Sequence, residues 1–395
     1  MIRDDRHATY GIGQRTDRFS GAISLQQRVL PEYRVPFFNA LADACNGLAV
    51  AAGEPLADEA IGMDIDKKRL AFTSYFLRNK YFHWPGLRSG VCWQRGLKGW
   101  FDSTSPDILV LEANPRLLSN HRILRLAQNM GCPTIGWGLG IRKPLGFVGE
   151  HALHDFLKRF DALIAYSSAG AASFEKHGVE GHRIFVARNA VSGAHIKSAK
   201  RALKEHPCLL EHYRRLLSSR GNPIVLYVGR LVRAKKTDLL IKASAQQTGA
   251  YEVVIIGEGP DKERLMNLAD KYSSPVTFLG RKTGVDLALC ILASDVVVVP
   301  GPGGLVLVEA LLCGKPVIAA EADGSADEII IEGETGFRVP SDDVTALRRT
   351  VQFALSDPQA LRVMGSNAGT SASSTYNLET MVATFIKAFQ FVSRS

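Results

Sequence analysis

Three glycine-bearing loops hold the residues best suited to chemistry. In the first, Gly229-Arg230-Leu231-Val232-Arg233-Ala234-Lys235-Lys236 follows the apolar run 224–228. A glycine turn that delivers cations to a helix start can hold a diphosphate between fixed charge and backbone dipoles. A solvated basic loop has the same composition. In the second, Gly257-Glu258-Gly259-Pro260 follows the run 252–256. Its glycines permit close approach by a ligand or another backbone, or make a plain turn. In the third, Pro300-Gly301-Pro302-Gly303-Gly304 runs into Leu305-Val306-Leu307-Val308-Glu309-Ala310-Leu311-Leu312. A glycine loop ending at a helix N-terminus is an anion site. The helix is apolar on every face except at Glu309, so it is a buried helix with a carboxylate that needs partners. A vicinal diol such as that of ribose would supply two hydrogen bonds. A structural Arg or a neighbouring loop would satisfy it as well.

These loops must be positioned by strands. The runs 108–111, 133–137 and 162–166 read as strands of a first domain. The runs 224–228, 252–256, 276–279, 296–299 and 317–319 read as strands of a second. Short β-branched runs alternating with helices imply α/β domains with parallel sheets covered on both faces. Ligands of such sheets bind beyond the carboxyl ends of the strands, where all three loops fall. The basic stretch 191–222 lies between the two groups and marks the domain boundary. Residues 1–20 read as a loose N-terminal tail, 21–195 as a first domain and 215–376 as a second. The amphipathic C-terminal helix, about 377–395, is expected to pack back on the first domain.

The bulk properties fit two domains. The chain has 395 residues, more than one core usually serves, and 46% are hydrophobic. A net charge of +9 favours anionic partners without choosing among them. Six scattered cysteines show neither zinc nor redox spacing and read as free thiols of a reducing cytoplasm. The apolar stretch 295–320 is broken by prolines, glycines, Glu309 and Lys315, so it does not read as a membrane span.

Taken in order, the three loops, then Val276-Thr277-Phe278-Leu279-Gly280, then Gly314-Lys315-Pro316-Val317-Ile318-Ala319, then Gly333…Thr335-Gly336-Phe337, resemble retaining GT-B glycosyltransferases of family 4. The resemblance covers about 120 residues. Weaker matches occur at Leu30–Phe38, Asn114-Pro115-Arg116 and Ile184–Asn189. It implies a GT-B fold of two Rossmann-like doubly wound domains facing across a cleft. It implies that Arg230, Lys235, Gly303, Gly304 and Leu305 hold the donor diphosphate, and that Glu309, Arg281 and Glu258 lie at the ribose and base. Arg34, Asn114 and Arg116 fall on the acceptor side. The implied reaction is sugar transfer with retention and without a metal or other cofactor, the leaving diphosphate being stabilised by the cations and the helix dipole. The catalytic residues are not assigned.

Two departures stand out. The family's paired glutamates lie eight positions apart, and Gly301 stands where the first is expected before Glu309. In Trp137-Gly138-Leu139-Gly140, Leu139 stands where some relatives carry His. His83, His121, His151 and His154 are the other histidines considered for the cleft; each also reads as a solvated or structural side chain.

Residues 67–98 carry eight Lys or Arg and no Asp or Glu, interleaved with Tyr75, Phe76, Tyr81, Phe82, Trp84 and Trp93. This suits an anionic membrane or a phosphate-bearing lipid acceptor. It also suits single-stranded nucleic acid, the closing of the acceptor side, or an ordinary strand and helix.

The leading expectation is a cytoplasmic glycosyltransferase, peripheral at the inner membrane face, that adds sugar to a glycan or lipid-linked acceptor in surface polysaccharide biosynthesis. No nucleic-acid partner is expected. A sugar-nucleotide epimerase would need acid and base carboxylates, for which Glu32, Glu112 and Asp155 are the candidates. A non-catalytic sugar-nucleotide-binding protein is the third class, kept open by Gly301 and Leu139. A nicotinamide oxidoreductase is disfavoured because no Gly-x-Gly-x-x-Gly follows a first strand.

Overall fold

Apolar β-branched runs alternate with amphipathic helices along the chain, and in the computed structural model they build two separate sheets. The structure describes residues 18–394 except 57–58, 60–64, 83–89, 141–146, 246–249 and 323–324. The tail assigned to 1–20 therefore lies outside the described residues up to position 17, and the first strand already begins at Phe19. His83 and Trp84 also lie outside them.

The first sheet contains β1 (Phe19–Val29), β2 (Cys45–Gly53), β3 (Thr73–Phe82), β4 (Val91–Arg95), β5 (Ile108–Glu112), β6 (Thr134–Gly138), β7 (Ala162–Ala165) and β8 (Ile184–Val186). Its order is β4-β3-β2-β1-β5-β6-β7-β8. Every pairing is parallel except β3 with β4, which form an antiparallel edge. Its helices are α1 (Val35–Asp43), α2 (Leu97–Thr104), α3 (Leu118–Asn129), α4 (Phe147–Lys158) and α5 (Ser168–Lys176).

The next helices are α6 (Ala194–Glu205), α7 (Cys208–Leu217), α8 (Thr237–Ala243), α9 (Lys262–Lys271), α10 (Gly284–Ala293), α11 (Leu305–Leu312), α12 (Ser325–Ile329), α13 (Val344–Ser356), α14 (Pro358–Thr375) and α15 (Leu378–Val392). The second sheet contains β9 (Ile224–Val228), β10 (Glu252–Ile256), β11 (Val276–Phe278), β12 (Val296–Val299), β13 (Val317–Ala320) and β14 (Gly336–Val339). Its order is β11-β10-β9-β12-β13-β14, and all its pairings are parallel.

The chain divides into two compact units. One comprises 1–55, 62–188 and 378–395; the other comprises 56–61 and 189–377. In the second unit, successive strand residues serve opposite cores. Ile224, Leu226, Val297 and Val299 pack on one face of the sheet, and Val225, Tyr227, Val296 and Val298 on the other. This two-sided burial explains why the runs 224–228, 252–256 and 296–299 read as unbroken apolar strands. In the first unit, α15 completes the core. Phe385 meets Phe37 and Trp137 edge-on, each at 5.0 Å, and Phe389 lies 5.5 Å from Phe19.

The stretch 191–222, read as a boundary, is folded into α6 and α7. Ile196, Ala199 and Leu217 are buried in the second unit's core, with Leu203, Leu209 and Tyr213 packed against it. Its average composition is polar because the other face of each helix is solvated, while a narrow apolar stripe docks on α10. Among the described residues, no helix is long and apolar enough to cross a membrane.

Candidate functional site

In the second sheet the chain proceeds from β9 to β10 and β11 on one side, and β12 to β14 lie on the other. Strand order therefore reverses between β9 and β12, the position where open parallel sheets bind ligands. The loops leaving these two strands carry Arg230, Lys235, Gly303, Gly304 and, through α11, Glu309.

Backbone contact holds this region together. A side-chain carbon on Gly257 would lie 1.9 Å from the Gly229 carbonyl oxygen, and one on Gly259 would lie 2.3 Å from that of Leu231. The Leu231 N–H donates to the Glu258 carbonyl at 2.9 Å. The glycines of the second loop thus admit another backbone, that of the first loop. Gly301 does the same between the first and third loops. A side-chain carbon there would sit 2.6 Å from the Lys235 carbonyl oxygen. Lys235 Nζ in turn donates to the Pro302 carbonyl at 2.5 Å and to that of Gly303 at 3.4 Å. The glutamate expected at 301 has no room while these two turns touch.

Gly304 caps α11 with φ 75° and offers no side chain to its first-turn N–H groups. The Leu307 N–H donates back to the Gly304 carbonyl at 3.3 Å, which leaves the N–H groups of Leu305 and Val306 as the donors an anionic ligand could meet. Arg230 donates from Nη1 to the Glu59 carbonyl, a residue of the short segment that belongs to the same unit. The Tyr227 hydroxyl donates to the Arg230 carbonyl at 3.2 Å, and burial pushes its pKa up to about 12. Glu258 pairs with Lys262 at 2.8 Å at the end of β10. The Gly257 N–H donates to the Gly280 carbonyl at 2.8 Å, which brings Glu258 beside exposed Arg281. These two lie across β9 from the helix that carries Glu309.

Glu309 is only 16% exposed, and its Oε1 lies 2.7 Å from His195 Nε2. His195 sits in the first turn of α6 and is 23% exposed. Among the described residues no other group bonds to the Glu309 carboxylate. Sequence reasoning missed His195: it lies 114 positions from Glu309 in a stretch read as a boundary, and no local pattern links them.

The first sheet reverses its order between β1 and β5, and there too the predicted residues gather. Arg34 follows β1, and Asn114 and Arg116 follow β5. The Arg34 guanidinium lies 4.6 Å over the Trp137 ring and 5.0 Å over that of Tyr166, and donates to the Tyr166 hydroxyl at 3.1 Å. Burial opposes the Arg34 charge, but Tyr166 and Tyr33 outweigh it and hold its pKa above the ordinary value. Burial lifts Tyr166 to about 12, against the pull of Arg34. The Asn114 side chain accepts from the Arg116 N–H at 3.1 Å and donates to Glu112 at 3.4 Å, so it shapes a turn. Arg116 is exposed.

The remaining candidates scatter. Glu112 accepts the Arg28 N–H at 2.9 Å, while Glu32 and Asp155 are exposed. His121 bonds the Pro115 carbonyl at 2.8 Å and packs on Phe156. His151 is exposed and His154 is half-buried against Gly178. Leu139 is 58% exposed at the end of β6. All six cysteines are free thiols; Cys45, Cys92, Cys290 and Cys313 are buried. Among the described residues no group of His, Cys, Asp or Glu is arranged to hold a metal ion.

Comparison with known proteins adds four findings. D-inositol 3-phosphate glycosyltransferase of Mycobacterium tuberculosis (strain H37Rv) is 29% identical over 300 residues, or 71% of this chain. The chain spans 57% of that relative's length. The fold matches Anabaena HepE, solved in complex with UDP, with a TM-score of 0.73 at 20% identity over 93% of this chain and 99% of that one. It also matches sucrose-phosphate synthase from Thermosynechococcus elongatus, with a TM-score of 0.70 at 22% identity over 96% of this chain and 100% of that one. The architecture is accordingly the GT-B arrangement of two parallel-sheet domains. Residues 211–370, which carry Arg230, Lys235 and Glu309, match the family model of glycosyl transferases group 1.

Proposed function

We propose that this chain is a glycosyltransferase that takes its sugar from a nucleotide-sugar donor and transfers it with retention. The reading rests above all on one observation: Arg230, Lys235, the uncapped α11 N-terminus and Glu309 converge on the strand-order reversal of the second sheet. Two cations and the helix N-terminus would neutralise the leaving diphosphate, which is the largest electrostatic demand of the transfer. Those charges replace a metal in this reading, so activity would survive chelation by EDTA. Glu309 would take the ribose, and Glu258 and Arg281 would lie toward the base. The bound nucleotide of the HepE structure and the group 1 match of residues 211–370 support the donor class.

The acceptor is proposed to be a glycan or lipid-linked sugar of a surface polysaccharide, met from the side of Arg34, Asn114 and Arg116. A membrane-facing role is supported by the outer face of the β3–β4 edge. Phe76, Arg78, Lys80 and Phe82 are exposed on alternate positions of β3, and Lys80 and Arg78 register with Trp93 and Arg95 of β4. Cations beside aromatic rings suit an anionic bilayer at the inner face of a cytoplasmic membrane.

The deciding experiment incubates the purified protein with UDP-, GDP- and ADP-sugars and measures nucleoside diphosphate release. Slow release without acceptor is the expected result. Interconversion of the sugars would instead identify an epimerase. Tight binding without turnover, even with lipid-linked acceptors present, would identify a binding protein; the absent carboxylate at Gly301 is the feature that favours it.

A further inference from the structure

We infer that His195 is a positioning residue for nucleotide recognition: it fixes the Glu309 carboxylate so that the free oxygen faces a ribose diol. The inference rests on the ribose reading of Glu309 and goes one residue further.

Glu309 has no polar neighbour on its own helix. It projects from a helix whose other residues are all apolar, with Leu307, Val308, Ala310 and Leu311 buried. A carboxylate in that setting must be hydrogen-bonded, and a single flexible side chain with two equivalent oxygens does not choose its own orientation. Among the described residues, His195 is its one partner, through Oε1 at 2.7 Å. With Nε2 donating to Oε1, Oε2 is left with its full accepting capacity. Both side chains keep part of their surface open, 23% for His195 and 16% for Glu309, so the pair borders accessible space.

The pair is also held rigidly. Ile196 and Ala199 of α6 are buried in the same core as Leu307, Ala310 and Leu311 of α11. Five residues beyond His195, Lys200 Nζ donates to the Leu312 carbonyl at 2.9 Å, which ties α6 to the far end of α11. Two helices joined at these two points set the ring and the carboxylate in one relative position. A fixed acceptor costs less ordering when ligand arrives than a mobile one, which is how a residue that touches no ligand raises affinity.

The test compares ligands that have and lack the diol. Affinities of the wild-type chain are measured for UDP, GDP and ADP and for their 2′,3′-dideoxy counterparts. His195→Phe, which keeps the ring and removes the donor, is expected to weaken the best ribonucleotide about tenfold. It should leave the dideoxy form within about twofold. His195→Gln, which restores an N–H donor, should recover most of the loss. Equal weakening toward both forms would show that His195 merely supports the fold, and would overturn the inference. Glu309→Gln separates the two levels of the argument. If it weakens ribonucleotide binding while His195→Phe does not, the ribose reading stands and the positioning role falls. If neither substitution discriminates between the two ligand forms, the ribose reading itself is wrong.

Discussion

At the reversal between β1 and β5, the strand ends are filled with polar side chains bonded to one another. Gln26 bonds Gln94, Asn120 donates to Gln26 at 3.0 Å, and Arg34 is clamped between two aromatic rings. At the reversal between β9 and β12, the corresponding space is built from glycine backbone, with Gly229, Gly257, Gly259 and Gly301 in direct contact with neighbouring turns. The same topology is thus finished in two different ways. A side-chain network fixes shape and is costly to leave half-satisfied. Stacked backbone turns leave N–H groups and a helix end pointing outward, which suits a phosphate group. The difference teaches that one strand order can be finished with a side-chain network, open to change residue by residue, or with stacked backbone turns, where an added side chain meets backbone.

The sharpest way to break the comparison is to put a side chain into the backbone contacts. Gly257→Ala places a carbon 1.9 Å from the Gly229 carbonyl oxygen and should cost about 3 kcal/mol or more, because backbone must move. Thermal unfolding would show it, and an unchanged Tm would mean that the turns are not held against each other. Gly301→Glu restores the residue expected from the paired-glutamate pattern, but its first carbon meets the Lys235 carbonyl at 2.6 Å. A destabilisation of about 2 kcal/mol with no gain in donor binding is expected. Improved binding at full stability would show that the two turns separate readily.

Arg34→Lys tests the first reversal. The ammonium keeps the charge but not the planar stack on Trp137, so about 1–2 kcal/mol of stability should be lost. Nucleoside diphosphate affinity should be unaffected, because Arg34 belongs to the other unit; a matched loss of affinity would refute that separation. The smallest effect is expected of Tyr227→Phe, about 1 kcal/mol for the hydrogen bond to the Arg230 carbonyl. It carries a pH signature. The folded-state pKa of Tyr227, near 12, lies above the ordinary value of 10, so its contribution is complete below pH 10 and is lost as pH rises toward 12. The variant should show a shallower decline of stability across that window, measured as Tm against pH.

Legibility in the sequence followed burial. The strands β9, β10 and β12 are buried on both faces and read directly as apolar runs. The strands β1 to β4 did not: β1 carries Gln26, Gln27 and Arg28, and β3, next to the edge strand β4, buries only Leu77. The helices α6 and α7 hid for a related reason, since a narrow buried stripe is averaged away in a basic stretch. Among the candidate residues, Arg230, Lys235 and Glu309 were legible because glycine loops announce themselves locally. His195 and the Glu59 carbonyl were not, because their partners are far away in the chain.

By itself the sequence determined the α/β class, the loops that follow β9, β10 and β12, and the lone carboxylate of an otherwise apolar helix. Each is a matter of local pattern: periodicity, glycine placement, one polar residue among many apolar ones. Only the tertiary structure decided strand order, and hence that the loops of β9 and β12 meet where the sheet reverses. It also decided that the Gly301 position is filled by the Lys235 backbone, and that Glu309 faces a histidine. Strand order and side-chain pairing depend on contacts between distant segments, and the packing that selects those contacts leaves no trace in short-range spacing.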